Sequence, residues 1–209
     1  MGRVRSVNVG RPRQIAVRRG RPLMSAIGKE PVAGRVCVAG DGVEGDAQAD
    51  LRVHGGPDKA VYAYAAEDAA WWAEALGRSL APGAFGENLT VEGVDVTGAR
   101  IGERWRVGTA ELEVCQPRLP CAKLGIRFGD PGMVKRFAEA GRPGAYLRIV
   151  SAGEVAAGDP VEVVARPGHD VTVAMVSRAI LLEEALLVPA AAAPALPQAL
   201  ARWMRERAA

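Results

Sequence analysis

Gly98-Ala-Arg-Ile-Gly-Glu103 runs into Trp105, and Gly153-Glu-Val-Ala-Ala-Gly-Asp159 runs into Val161. Each is a glycine-framed turn feeding a short β-branched or aromatic strand, a pattern common in small closed barrels. Working outward, the same punctuation recurs up to about Pro167. Runs of four to seven residues, partly alternating between apolar and polar, are cut by glycine and proline. The spacing predicts strands at Arg3–Val9, Gln14–Val17, Val32–Val38, Ala60–Tyr64, Asn88–Glu92, Arg104–Val107, Glu111–Val114, Ala145–Val150 and Val161–Ala165. Two helices interrupt them. Glu67–Leu76 carries acids in its first turn and Gly77 past its end, and Asp130–Ala140 has Asp130 as N-cap, Pro131 at the first helical position and Gly141 as stop. After Gly168 strand residues vanish, and Asp170–Leu187 and Leu196–Arg207 read as helices separated by a Pro189–Pro194 hinge. The expectation is a mainly β barrel with a few inserted helices over residues 1–167 and a short C-terminal helical appendage over 168–209.

The 209 residues suffice for a full core without disulfides, and three cysteines, Cys37, Cys115 and Cys121, make no disulfide framework. Lys and Arg total 27 against 24 Asp and Glu, too small an excess to argue for nucleic acid, and the aromatics form no base-stacking platform. No signal peptide or membrane-length apolar run is visible, so a cytoplasmic protein is expected. The charge is unevenly spread. The first twenty-two residues hold Arg3, Arg5, Arg11, Arg13, Arg18, Arg19 and Arg21 and no acid, and a second basic stretch surrounds Cys121. Two such clusters suggest a local anionic ligand.

Cys121 lies in Cys115-Gln-Pro-Arg-Leu-Pro-Cys-Ala-Lys-Leu124. Pro117 and Pro120 fix φ and remove donors, which predicts a rigid irregular loop rather than strand or helix. Arg118 and Lys123 flank the sulfur and favour its thiolate, a nucleophile and a soft metal ligand. Cys37 and Cys115 read as buried structural thiols. Val53-His54-Gly-Gly-Pro-Asp58-Lys59 sets His54, Asp58 and Lys59 on a glycine loop suited to anion contact or proton transfer, or to a plain solvated hairpin. Gly83-Ala-Phe-Gly86-Glu-Asn88-Leu89 can present backbone donors to a phosphate but has neither Walker nor dinucleotide spacing. Gly42-Val-Glu-Gly-Asp46 lacks calcium-loop spacing and reads as a turn, with Asp46 orienting His54 or a nearby arginine. His169, at the junction, reads as structural. No tetrahedral zinc set and no nucleophile elbow appear.

Four of these runs, Gly42–Asp46, Val53–Asp58, Phe85–Leu89 and Gln116–Leu124, occur in the order found in the MOSC family, the domain related to the C-terminal part of molybdenum cofactor sulfurases. The chain resembles its stand-alone bacterial members of the YiiM type, whose barrel is followed by a short three-helix segment. The resemblance implies a MOSC-type β-barrel holding a molybdenum cofactor (molybdopterin), with Cys121 as thiolate ligand to the metal. It implies catalytic contributions from His54, Asp58 and Lys59 on the open side. Arg118, Lys123, Arg127, Asn88 and Gly86 would contact the cofactor. Related proteins reduce N-hydroxylated compounds in detoxification. That makes the expected activity a molybdenum-dependent oxidoreductase acting on a small-molecule substrate. Three cysteines cannot hold an iron–sulfur cluster as well, so electrons would come from an external electron-donor protein. A homodimer is one option for the assembly. Two departures stand out: Cys37 and Cys115 match no expected family cysteine, and Ala63-Tyr64 lacks a polar residue expected in close relatives, which bears on the substrate.

Two other readings stay open at this point. Cys121 could carry sulfur as a persulfide, with His54 as base. Or the barrel could bind a phosphorylated ligand without turnover, its basic clusters and helical tail docking a partner.

Overall fold

The computed structural model describes residues 2–49 and 55–209. Among these residues are thirteen strands: β1 Gly2–Val9, β2 Arg13–Arg18, β3 Arg21–Ser25, β4 Glu30–Pro31, β5 Val36–Ala39, β6 Gly42–Val43, β7 Val61–Ala65, β8 Leu89–Glu92, β9 Arg104–Val107, β10 Ala110–Pro117, β11 Ala145–Ser151, β12 Gly153–Val155 and β13 Pro160–Ala165. Seven close into a barrel in the order β13-β9-β10-β11-β7-β8-β1, and the ring shuts where β1 pairs with β13, Gly2 opposite Val161 and Arg3 opposite Pro160. Every pairing in the ring is antiparallel except β7 with β8. The glycine-framed turns anticipated from sequence feed β9 and β13, which are ring neighbours.

Alternation places the core. In β9, Trp105 and Val107 point inward and are fully buried, while Arg104 and Arg106 face out. In β1 a register shift between Val4 and Ser6 resets the phase, so that Val4 and Val7 both reach the interior. β7 is buried on both faces. Val61, Ala63 and Ala65 join the barrel core, whereas Tyr62 and Tyr64 belong to a second, aromatic cluster outside it with Trp72, Phe85, Phe128 and Phe137. That outer layer is built by helices α1 Ala66–Leu76, α2 Ala122–Phe128 and α3 Met133–Ala140. Tyr64 stacks on Phe85 at 4.4 Å between centroids and Trp72 on Phe137 at 6.1 Å, within the range where ring pairs attract.

Three further helices, α4 Val173–Leu181, α5 Leu187–Ala190 and α6 Gln198–Arg207, follow the barrel. Thr172 caps α4 by accepting from the Met175 N–H at 3.1 Å. Val173, Val176, Leu187 and Met204 join the barrel interior in one continuous cluster. Arg148 of β11 ties the two parts together by donating to the Ala195 carbonyl at 3.0 Å.

The structure corrects several expectations. The irregular loop expected before Cys121 is short: β10 continues to Pro117, residues 118–121 carry no regular structure, and Cys121 is the N-cap of α2, a helix not expected from the sequence. Asp130 does not cap α3 directly. The helix begins at Met133, and Asp130 accepts from the Gly132 N–H at 2.8 Å in the preceding turn. Cys37 is exposed on the short β5, not buried. The tail is broken by a 3-10 turn at Glu184–Leu186 rather than running as one helix from Asp170 to Leu187.

Gly144 decides how closely β11 lies against β7. Its φ is +65°, and a Cβ there would meet the Ala63 carbonyl and Tyr64 Cδ2, each at 2.7 Å. Left-handed backbone costs a residue with a Cβ about 1–2 kcal/mol, and overpacking costs about 1–3 more. We therefore expect Gly144→Ala to destabilise the protein by roughly 2–5 kcal/mol, read as a lower urea midpoint at unchanged m-value.

Candidate functional site

A cleft opens on the outer side of β7 and β11, floored by Tyr62 and Tyr146, which are register neighbours. One wall is the turn from Arg118 through Cys121 to Lys123, another the chain after β3 from Ser25 to Lys29, and a third the Phe85–Asn88 loop. The segment Ala47–Ala49 closes the remaining side. Among the described lining residues, Lys29, Arg118 and Lys123 are cations and no carboxylate appears.

Arg118 is the most informative of these. It is 5% exposed, its guanidinium lies 5.1 Å from the Phe137 ring centroid and 5.8 Å from that of Tyr62, and one terminal nitrogen, Nη1, is buried without a hydrogen-bond partner. Aromatic faces offset part of the cost of burying a cation, but a buried guanidinium without a counter-charge stays costly. Cys121 lines the same cleft and is partly exposed, its side chain taking no part in capping α2.

Lys29 is treated differently. It is buried, and desolvation lowers its pKa against the opposing pull of the Asp46 carboxylate with which it pairs. Asp46 also accepts from the Gly10 N–H at 2.8 Å and from Asn88 Nδ2 at 2.9 Å. Asn88 in turn accepts from the Tyr62 N–H through Oδ1 at 3.1 Å. This node locks the cleft wall to β1 and β7. Among the described residues the partners of Asp46 are a lysine, an amide and a backbone N–H, and not the arginine expected; His54, the other expected partner, lies outside the described residues.

The site residues expected from sequence divide. Cys121, Arg118, Lys123, Gly86 and Asn88 are brought together in the cleft. The backbone donors of the last two are spent internally, Gly86 N–H on the Gly83 carbonyl at 3.0 Å and Asn88 N–H on the Tyr62 carbonyl at 2.8 Å, so they are not the phosphate donors expected of that loop. Arg127 is exposed at the end of α2, beside Gly28 and outside the lining. Asp58 is not among the lining residues of the cleft: its carboxylate pairs with Arg148 at 2.7 Å, and its carbonyl accepts from Cys115 Sγ at 2.9 Å and Gln116 Nε2 at 3.1 Å. Lys59 does not line the cleft, and partial burial lowers its pKa. His54 lies outside the described residues. Three arginines of the basic stretch after Cys121 are engaged by carboxylates. Arg142 pairs with Asp68, Arg136 with Asp130, and Arg148 with Asp58 and Glu113. Sequence reading missed Lys29, Tyr62 and Tyr146. A lone lysine after Gly28 carries no motif, and the tyrosines read as ordinary strand residues.

Cys115 is a buried wall thiol, as expected, with burial pushing its pKa from 9.0 up to about 12. Because the folded value exceeds the unfolded one, the stability this thiol contributes is complete below pH 9 and is lost as pH rises towards 12. Burial raises Tyr62, Tyr64 and Tyr146 in the same direction, so the fold weakens on the alkaline side.

Comparison with known proteins agrees with this architecture. A model of the MOSC domain matches residues 50–162. The Bacillus subtilis protein YflK is 39% identical over 175 residues, covering 84% of this chain and 79% of YflK. A Gibberella moniliformis protein named as a reductase is 33% identical over 183 residues, 83% of this chain but 31% of that longer protein. The crystal structure of YiiM from Geobacillus stearothermophilus superposes over 100% of both chains with a TM-score of 0.83 at 31% identity. The chain belongs to the MOSC family.

We expect a thiol reagent such as Ellman's to modify the native protein rapidly at Cys37 and Cys121 and not at Cys115, whose release waits on unfolding. Cys37→Ser and Cys121→Ser should each remove one rapidly reacting thiol. Fast labelling in the double variant would contradict the burial of Cys115.

Proposed function

We propose that the cleft holds a molybdenum cofactor through Cys121 and Arg118, and that the protein reduces N-hydroxylated small molecules. The observation that carries this is the pairing, in one cleft, of a partly exposed sulfur with a buried guanidinium whose Nη1 has no partner. Among the described residues no group of three His, Cys, Asp or Glu side chains could hold a bare metal ion. A metal in this cleft would therefore take one sulfur from the protein and bring its other ligands with it. A pterin-bound molybdenum with a phosphate tail meets that condition: soft metal for the thiolate, anion for the cations.

When bound, such a group supplies two-electron oxygen-atom transfer. Overall, R–NHOH takes up two electrons and two protons to give R–NH2 and water, the N–O bond breaking and the oxygen leaving as water. This chain's residues account for the surroundings. Cys121 anchors, and Arg118 and Lys123 neutralise anionic charge. Tyr62 and Tyr146 floor the cleft with ring surface. The Tyr62 hydroxyl donates to the Pro143 carbonyl at 2.8 Å and is committed there, so it is not the proton source. The Asp58 carboxylate is held by Arg148 at 2.7 Å. Membership of the family and similarity to a protein named as a reductase favour this reading over sulfur carriage.

The test is metal content after production in a host that makes molybdopterin. Wild-type protein should retain molybdenum, and Cys121→Ser should lose it by about tenfold or more. Equal metal in both would overturn the assignment. Arg118→Met should also weaken retention by about tenfold, since a charge-assisted hydrogen bond contributes about 1.5–3 kcal/mol. It should not lower the stability of the cofactor-free protein, because it removes an unpaired buried cation. A stability loss with undiminished retention would make Arg118 a packing residue only.

A further inference from the structure

The β2–β3 hairpin stands apart from the barrel as a separate two-stranded sheet. Arg11, Arg13, Arg18, Arg19 and Arg21 are all exposed on it or at its base, and the segment from Arg11 to Ser25 contains no acid. Setting these five aside leaves 22 basic against 24 acidic side chains in the rest of the chain, so the protein's positive charge is concentrated here. The tip is built against itself. Arg18 sits directly opposite Arg21, a like-charge pair that opposes hairpin formation. Arg19 and Gly20 between them have φ of +51° and +73°, a two-residue turn in which asparagine or glycine is the comfortable occupant of the first position. Among the described residues the only ion pair offered to these arginines is Arg13 with Glu30, at 3.8 Å and largely in solvent. Val17 and Met24 are 63% and 40% exposed among them.

Position gives this surface a use. β2 packs against α2, the helix that begins at Cys121, and the chain leaving β3 lines the cleft with Ser25, Ala26 and Ile27. Arg127 of α2, beside Gly28, extends the positive surface from hairpin to helix. An approaching protein attracted to the arginines is thereby steered to the rim of the cleft. Exposed arginine and methionine with an apolar valine match the composition of protein interfaces. The hairpin has no aromatic side chain on which a base could stack, which disfavours single-stranded nucleic acid.

We propose that this arginine hairpin is the docking surface for the acidic face of a one-electron donor protein, of the flavodoxin class, that reduces the cleft. The proposal rests on the reductase reading above. Two dockings deliver the two electrons that each N–O cleavage consumes, each leaving one oxidised donor.

The experiment compares wild type with the triple variant Arg18→Glu/Arg19→Glu/Arg21→Glu and its milder counterpart carrying Gln at the same positions. Binding of oxidised flavodoxin is titrated across a salt series. Hydroxylamine-type reduction is followed in the cofactor-loaded protein with either reduced flavodoxin or reduced methyl viologen as donor. Wild type should bind flavodoxin with affinity that falls as salt rises. The Glu variant should lose about tenfold or more in affinity and in flavodoxin-driven rate, and the Gln variant should fall between, with viologen-driven turnover undiminished. Flavodoxin binding indifferent to charge reversal, with viologen turnover intact, overturns the docking proposal and leaves the reductase reading standing. No turnover with either donor overturns the reductase reading, and the electron-donor role falls with it. Tighter binding of the hairpin to an RNA oligomer or to phosphatidylserine vesicles than to flavodoxin also overturns it.

Discussion

Burial of β7 on both of its faces is the constraint on which the rest of this structure depends. Val61, Ala63 and Ala65 fill the barrel while Tyr62 and Tyr64, one residue out of phase, carry the aromatic layer outside. A strand that must satisfy two cores has no freedom of register, because a slip of one residue would exchange tyrosines for small aliphatics on both sides at once. Tyr62 is simultaneously a β7 residue, a neighbour of Tyr146 and a ring beneath Arg118. The cleft is thus fixed by the barrel wall and not by its loops alone.

Electrostatically, the protein sorts its cations by partner. Arg142, Arg136 and Arg148 are used within the fold, each against a carboxylate, and Lys29 is buried against Asp46. Arg118 is held by aromatic rings instead, and its Nη1 is left without a partner. Held by rings, a buried cation keeps its charge uncompensated, where a carboxylate would have neutralised it. The price falls on the empty protein, which carries an unsatisfied polar group in its outer core.

Much of this was legible in the residues because the signals were local. Glycine-framed turns and β-branched runs mark β1, β9, β10, β11 and β13 within a residue or two at most ends, and the motif order marks the family. The helix after Cys121 was not legible. Ala-Lys-Leu-Gly-Ile-Arg-Phe spans only seven residues, too few to establish a period, and it contains Gly125, which packs against the Asp130 carbonyl, where a Cβ would come within 3.0 Å. Nor was the pairing of Asp58 with Arg148: the two are 90 positions apart, and only the packing of the turn before β7 against β11 brings them together. Cys37 misled because a cysteine flanked by valines reads as core, whereas β5 lies in a small separate sheet with one face to solvent.

Closure of the ring through β1 and β13 has a kinetic consequence. The two strands are separated by some one hundred and fifty positions, so the pairing that shuts the barrel has one of the longest loop closures available to the chain. Topologies dominated by such distant contacts fold slowly. During synthesis β1 must wait, its edge unpaired on that side, until β13 has left the ribosome. In that interval the charged side chains Arg3 and Arg5 on its solvent face, later neutralised by Glu92 of β8, are the means at hand for discouraging self-association.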